Sequence, residues 1–307
     1  MPLKLVDRAI IWAIGKLPTA QAKETYRLYN RALIFLRKEY MGKTFFGAAM
    51  HCDLDDAIQS YIFHFGVWEP EVSEVIASTL SAGDVFIDIG ANVGYDSLLG
   101  SWRVGPTGRV VAIEASPTTF DLLKKNFALD GNSGNIRAIN IAVSDRCGTL
   151  DLFEISKWNI GATTTLAGRG GRRVASVEAM PLTDILTPDE LSRVRLIKID
   201  VEGAETGILT NILENMRLFP RTMDLIVETS FRDDPDASLK LFSAMKAAGF
   251  TAYEIANDYA VEHYLTRTLS PIVKADTLPQ KQCDLLYTRY PEVSPAAQSA
   301  FQEKAFV

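Results

Sequence analysis

Cysteine and histidine are scarce in this chain, three of each in 307 residues. Cys52, Cys147 and Cys283 stand far apart with no Cys-x-x-Cys pair, which excludes a disulfide framework. That usage fits a reducing compartment, so a cytoplasmic setting is expected. His51 sits beside Cys52, a spacing that makes no zinc site, and no metal is expected. No apolar run approaches the roughly 20 residues that a membrane span requires. The apolar stretch at residues 9–14 is short and flanked by charge, without the core or cleavage site of a signal peptide. Excess positive charge is also missing: the net charge is −6, which argues against nucleic-acid binding. Neither an internal repeat nor a low-complexity tract stands out. What remains is a soluble globular composition, 47% apolar and 23% charged, sized for one large domain with an added segment.

The charge is unevenly spread. Residues 1–43 carry nine Lys and Arg against three acids, a local balance of +6 that leaves −12 on the rest. Leu3, Val6, Ile10, Ile14 and Leu17 recur at spacings of three and four, so residues 3–17 read as an amphipathic helix that Pro18 stops. A second helical pattern covers about 21–40, with Tyr26, Leu33, Leu36 and Tyr40 on one side. Such helices pack on a body, mediate a homo-oligomer, or make peripheral contact with an anionic membrane surface. Residues 45–70 are rich in aromatic side chains, most of them expected in the core. Some could wall a pocket by stacking on a sugar face. A helix over 71–80 leads to the Gly83-Asp84 turn. The chain thus divides into a basic helical segment (1–45), an aromatic-rich lead-in (46–83), a main domain (84–290) and a tail (291–307).

The main domain is organised around Asp84-Val85-Phe86-Ile87-Asp88-Ile89-Gly90-Ala91-Asn92-Val93-Gly94-Tyr95-Asp96. The apolar run 85–89 reads as a buried parallel strand, and the Gly/Asn cluster as a tight turn that opens a helix. A strand, such a turn and a helix N-terminus offer backbone N–H groups to a ligand, although glycine also serves such turns for its backbone angles alone. An alternation of strands and helices follows. Strands are expected at 85–89, 109–113, 136–143, 195–200, 223–227, 251–255 and 283–289. Helices are expected at 95–103, at 117–129 with Ser116 as N-cap and Pro117 at the first turn, at 204–216 and at 236–248. Residues 148–182 break the rhythm with strands at 149–153 and 174–180. Between them the Gly/Arg-rich run 168–173 is either a loop that closes over an anionic substrate or an exposed turn. The polar segment 256–282 is a candidate substrate loop. The alternation predicts an α/β fold, a mostly parallel sheet with helices on both faces.

Ligands of such sheets lie across the carboxyl ends of the strands. Those ends carry Asp88 with Gly90, Glu114, residues 142–145, Asp200 with Glu202, and Glu228. Burying that many carboxylates is costly unless a ligand uses them. Glu114 follows the glycine turn by about 20 residues, the spacing at which an acid accepts the two hydroxyls of a ribose. Gly-x-Gly-x-x-Gly is absent, because Asn92 stands in the turn between Gly90 and Gly94. A cofactor with a ribose and an amino-acid tail therefore fits better than a dinucleotide.

Asp88-x-Gly90-x-Asn92-x-Gly94, Glu114 with Ser116-Pro117, and Lys198-Ile199-Asp200-Val201-Glu202-Gly203-Ala204-Glu205 resemble the FkbM-type S-adenosylmethionine-dependent methyltransferases over roughly residues 80–230. The resemblance implies the class I methyltransferase (Rossmann-like) fold, a seven-stranded sheet with one antiparallel strand, here with added N-terminal helices and an inserted hairpin. It implies S-adenosylmethionine as cofactor and a hydroxyl acceptor on a sugar, glycan or other small molecule. Carried onto this chain, Asp88, Gly90, Asn92 and Gly94 would hold the methionine portion. Glu114, with Ser116 beside it, would hold the ribose, and Ser144 and Asp145 would meet the adenine. Asp200 and Glu202 would face the methyl group and the acceptor. Lys198 either orients these carboxylates or only pairs with one of them.

Methyl transfer is an in-line displacement that rests on positioning, and an alcohol gains from a general base. The candidates are Asp200, Glu202, Glu228 and His263. Histidine has the best-matched pKa, but His263 lies outside the resemblance, where a solvent-facing position is expected. Two other readings compete: an NAD(P)-dependent oxidoreductase, and a non-catalytic nucleoside-binding protein on the same fold.

Overall fold

The computed structural model describes residues 3–37, 39–131, 133–154, 163–164, 171–201, 203–229, 234–256, 258–266 and 268–290. Helices α1 (Leu3–Ile14) and α2 (Thr19–Leu36) open the chain, separated at Pro18. The second helix is shorter than its periodicity suggests. Tyr40 alternates with Gly42 at a spacing of two rather than closing a helical stripe. The chain turns extended at Arg37 and pairs β1 (Glu39–Lys43) with β2 (Ala49–Asp53). Next come α3 (Ala57–Phe65) and α4 (Pro70–Thr79). Buried His64 of α3 ties the N-terminal helices to the body, with Nδ1 2.9 Å from Asp7 Oδ1 and Nε2 2.9 Å from Asn30 Oδ1.

The α/β rhythm runs β3 (Val85–Ile89), α5 (Tyr95–Val104), β4 (Arg109–Ile113), α6 (Pro117–Leu129), β5 (Ile136–Ile139). Here the structure departs from the single strand expected over 136–143. Asn140 leaves the ladder, and its amide donates to the Glu114 and Ala115 carbonyls at 2.8 and 2.9 Å. Beyond that break β6 (Ala142–Val143) joins a second sheet with β7 (Gly148–Glu154), β8 (Thr163–Thr164) and β9 (Arg172–Met180), the inserted hairpin. Residues 168–170 of the Gly/Arg-rich run lie outside the described residues, while Arg172 and Arg173 begin β9. Two short helices, α7 (Leu182–Ile185) and α8 (Pro188–Arg193), return the chain to β10 (Val194–Ile199). Then follow α9 (Glu205–Glu214), β11 (Asp224–Thr229), α10 (Pro235–Ala247), β12 (Thr251–Ile255), α11 (Val261–Thr266), β13 (Val273–Lys274) and β14 (Cys283–Thr288). The segment expected as a loop at 256–282 thus contains a helix and a short strand.

The main sheet has the order β13-β12-β14-β11-β10-β3-β4-β5. Seven of these strands form the class I methyltransferase sheet, in which β14 alone runs against its neighbours β11 and β12. The eighth is the two-residue edge strand β13, one more than expected. Alternation along each strand splits the core into two layers. Phe86, Val110, Leu196 and Ile226 pack against Val72, Val75 and Ile76 of α4 and Leu99 of α5. Ile87, Ile197 and Val227 face α9 and α10 through Ile208, Leu209, Phe242 and Met245. Each such fully buried side chain contributes roughly 1.5–3 kcal/mol.

Candidate active site

Because β3, β4 and β10 are parallel neighbours, their carboxyl ends meet on one crest. The ladder continues past the strands: Asp200 N–H donates to the Ile89 carbonyl at 3.0 Å, and Gly90 and Ala91 N–H donate to Ile113 at 2.9 and 3.0 Å. Gly90 has φ 83°, and a Cβ there would collide with the carbonyl oxygen of Asp200. Asn92 also has positive φ, 49°, which asparagine tolerates better than most residues. Its N–H donates to Glu114 Oε2 at 2.9 Å, while Ser116 N–H donates to Oε1 at 2.8 Å. Glu114 therefore clasps the glycine turn to the start of α6. Each of its oxygens keeps a second lone pair for a ligand hydroxyl. Burial pushes this half-buried carboxyl up to about 7, although both N–H donors oppose the shift.

Asp88 is fully buried under the turn and accepts from Ser97 Oγ at 2.5 Å through Oδ2. Lys198 lies opposite it in the β10–β3 register, on the same face of the sheet. The ammonium sits 2.6 Å from Asp200 Oδ2 and 3.1 Å from Asp96 Oδ2. Burial works against the Lys198 charge, but Asp200, Asp96, Glu69 and Asp88 outweigh it and hold the amine well above its usual range. Asp88 and Asp96 are both raised, chiefly by burial. Asp88 Oδ1 and Asp96 Oδ1 are buried without a hydrogen-bond partner. The crest is thus rich in carboxylate, and Lys198 is the buried lysine among the described residues.

The profile of the methyltransferase FkbM domain matches residues 88–252, more than half of the chain. The chain belongs to the FkbM methyltransferase family. It is 29% identical to methyltransferase sdnD of Sordaria araneosa over 180 residues, 50% of this chain and 68% of that protein. It is 26% identical to the 31-O-demethyl-FK506 methyltransferase FkbM of Streptomyces tacrolimicus over 201 residues, 56% of this chain and 74% of that one. Among solved structures, methyltransferase FkbM from Methylobacillus flagellatus KT aligns with TM-score 0.43 at 14% identity, covering 75% of this chain and 52% of the other.

The remaining predicted residues are placed as follows. Gly94 caps α5 with φ 90°, and Phe127 of α6 sits where a side chain would project. Ser116 Oγ is occupied as N-cap of α6, accepting from Thr119 N–H and Thr119 Oγ1. Ser144 donates to Asp145 Oδ1 at 3.1 Å, and Asp145 packs beside Gly207 of α9. Glu228 is buried at the end of β11 and accepts from Gln282 Nε2 at 2.6 Å. A cavity of about 350 Å³ opens beside it, lined by Gly203, Thr206, Thr229 and Ser238. His263 is not solvent-facing: it lies on α11 with Nε2 held 2.8 Å from Glu71 Oε1. Glu202 lies outside the described residues. Sequence reasoning passed over Asp96, Glu69 and Asp284. The available signals were an acid in the first turn after the glycine cluster, and an acid directly before Pro70 at a helix start.

Proposed function

We propose that this chain is an S-adenosylmethionine-dependent O-methyltransferase that acts on a hydroxyl of a sugar or natural product. The observation that carries the cofactor reading is Asp96. It stands in the first turn of α5, where a dinucleotide would set its pyrophosphate, and it is paired with Lys198 instead. A carboxylate there repels a phosphate and favours a cationic ligand. The unpartnered Asp88 and Asp96 oxygens and the spare lone pairs of Glu114 suit an amino acid joined to a ribose. When bound, the cofactor supplies an electrophilic methyl group on a sulfonium. Asp88 and the 90–94 turn would hold its methionine end, Glu114 its ribose, and Ser144 with Asp145 its adenine. Asp200, paired with the Lys198 ammonium, would face the reacting centre electrostatically. The hydroxyl acceptor is supported by the FkbM relative, whose name specifies a 31-O-demethyl substrate.

Thermal shift against S-adenosylhomocysteine and NADH tests the reading. At 100 times its Kd, S-adenosylhomocysteine should stabilise the protein by about 2.7 kcal/mol. A shift with NADH and none with S-adenosylhomocysteine would sink it.

We also propose that the N-terminal helices rest on an anionic membrane surface. Trp12 and Phe35 are 63% and 91% exposed, among Arg8, Lys16, Arg31 and Arg37. No helix among the described residues is long and apolar enough to cross a bilayer. Co-sedimentation of the full chain with phosphatidylglycerol vesicles should exceed that with neutral vesicles and fall with salt. Equal recovery with both would remove this role.

A further inference from the structure

The crest is closed from the side of α4 by a carboxyl that no part of the cofactor reading uses. Glu69 precedes Pro70 with left-handed backbone, φ 44° and ψ 73°. Its N–H donates to the Tyr264 hydroxyl at 3.1 Å, and its Oε1 accepts from the Tyr259 hydroxyl at 2.9 Å. The Tyr259 ring is in turn stacked on Trp68, with centroids 5.4 Å apart. Glu69 is only 4% exposed, and its Oε2 is buried with no hydrogen-bond partner. A carboxyl oxygen in that state is costly to maintain unless something arrives to use it.

The charged surroundings point the same way. Lys198 of β10, Asp284 of β14, Asp200 after β10 and Asp96 of α5 all act on Glu69. Tyr259, Tyr264 and Tyr95 complete the titratable groups around it. Burial, reinforced by Asp284, Asp200 and Asp96 against the opposing pull of Lys198, holds its carboxyl well above the usual range. Glu228 also takes a neutral donor, the Gln282 amide, whereas Asp200 and His263 are engaged differently. Asp200 Oδ2 is tied to the Lys198 ammonium, and His263 Nε2 is tied to Glu71. Glu69 receives a neutral phenol donor rather than a cation.

Resting on the methyl-transfer reading above, we propose that Glu69 accepts the proton of the acceptor alcohol, with Tyr259 holding the carboxylate in position. The acceptor oxygen forms the new O–CH3 bond while the S–CH3 bond breaks. Its electron pair returns to sulfur, and the hydroxyl proton passes to Glu69 Oε2. The charges make the timing work. Burial disfavours the charged form of this carboxyl in the free protein, whereas a cationic ligand beside it favours the ionised form. That same positive charge vanishes when the methyl group leaves, so Glu69 gains proton affinity just as the hydroxyl loses its proton. The proton then leaves to solvent with the products.

Proton-linked calorimetry tests this without knowledge of the acceptor. The full chain is titrated at pH 7, in phosphate and in Tris, with two ligands. Sinefungin carries an amine in place of the S-methyl group and is cationic there, whereas S-adenosylhomocysteine is neutral at the same place. Sinefungin should release more protons per site than S-adenosylhomocysteine. Glu69→Gln should abolish that excess while its affinity for S-adenosylhomocysteine stays within about threefold. An undiminished excess in Glu69→Gln overturns the assignment. Tyr259→Phe keeps the carboxyl and removes its donor, so the pH midpoint of the excess should rise by roughly half a unit. An unmoved midpoint counts against the role. Failure of the wild-type chain to bind S-adenosylhomocysteine would sink the methyltransferase reading itself. Wild-type binding with no sinefungin-specific release would sink the Glu69 role alone.

Discussion

Glu114 has two structural duties besides any ligand it holds, since Asn92 N–H and Ser116 N–H each end on one of its oxygens. Removing the whole side chain therefore confounds binding with folding. Glu114→Ala should lower stability by about 2 kcal/mol, as two backbone donors lose a charged acceptor. Glu114→Gln keeps one acceptor oxygen, and its affinity for S-adenosylhomocysteine should fall roughly tenfold by calorimetry. Unchanged affinity would remove the ribose assignment. Lys198 is the opposite case, a cation that several acids depend on. Lys198→Met leaves Asp96 and Asp200 without their partner and should cost about 3 kcal/mol in chemical denaturation. A loss below about 0.5 kcal/mol would show that the pair is screened by water.

At the scale of elements, the junction of β3 and β10 tolerates no side chain at Gly90, because the Asp200 carbonyl occupies that space. Gly90→Ala should yield little folded protein, with any soluble fraction destabilised by more than about 3 kcal/mol in urea titration. A near-wild-type midpoint would mean that the strand ends can part. This junction was legible beforehand, since a five-residue apolar run ending in Gly-x-Asn-x-Gly is a local signal. The strands from 85 to 113 and the Ser116 cap of α6 were readable for the same reason, whereas one antiparallel strand was expected only from the family resemblance, which did not say which. What escaped depended on distant partners. Asp96 meets Lys198 only because β10 pairs with β3 in one register, more than a hundred residues away. Glu69 reaches the crest only because α4 crosses the sheet. The break at Asn140 depends on carbonyls at the end of a neighbouring strand, so the apolar pattern of 136–143 did not betray it.

Across the whole molecule, buried carboxyls set an unusual response to pH. Glu74 and Glu114 are pushed up to about 7, and Asp88, Asp96, Glu69 and Asp224 are raised as well, in every case first by burial. An acid whose folded pKa exceeds its unfolded one binds more protons in the folded state. Stability should therefore fall as pH rises from the unfolded value near 4.5 through about 7. We expect the melting temperature of the free protein to drop by roughly 5 °C between pH 5 and pH 8, with a smaller drop when S-adenosylhomocysteine is bound. A rise over that interval would contradict the burial of these groups.

The direction of β14 has one more consequence. Because this strand runs against its neighbours, its first residues, Cys283 and Asp284, stand at the crest beside Thr229 and Glu228. The chain between β12 and β14, with Tyr259 and Tyr264, therefore starts and finishes on the rim of the crevice. The half assigned to the cofactor is assembled from short turns, where Gly90 leaves no room for a side chain. The other half hangs from a long excursion whose two ends are fixed by the strands β12 and β14. Under the proposed methyl transfer, differences in the acceptor would accumulate in that excursion, apart from the turns assigned to the methyl donor.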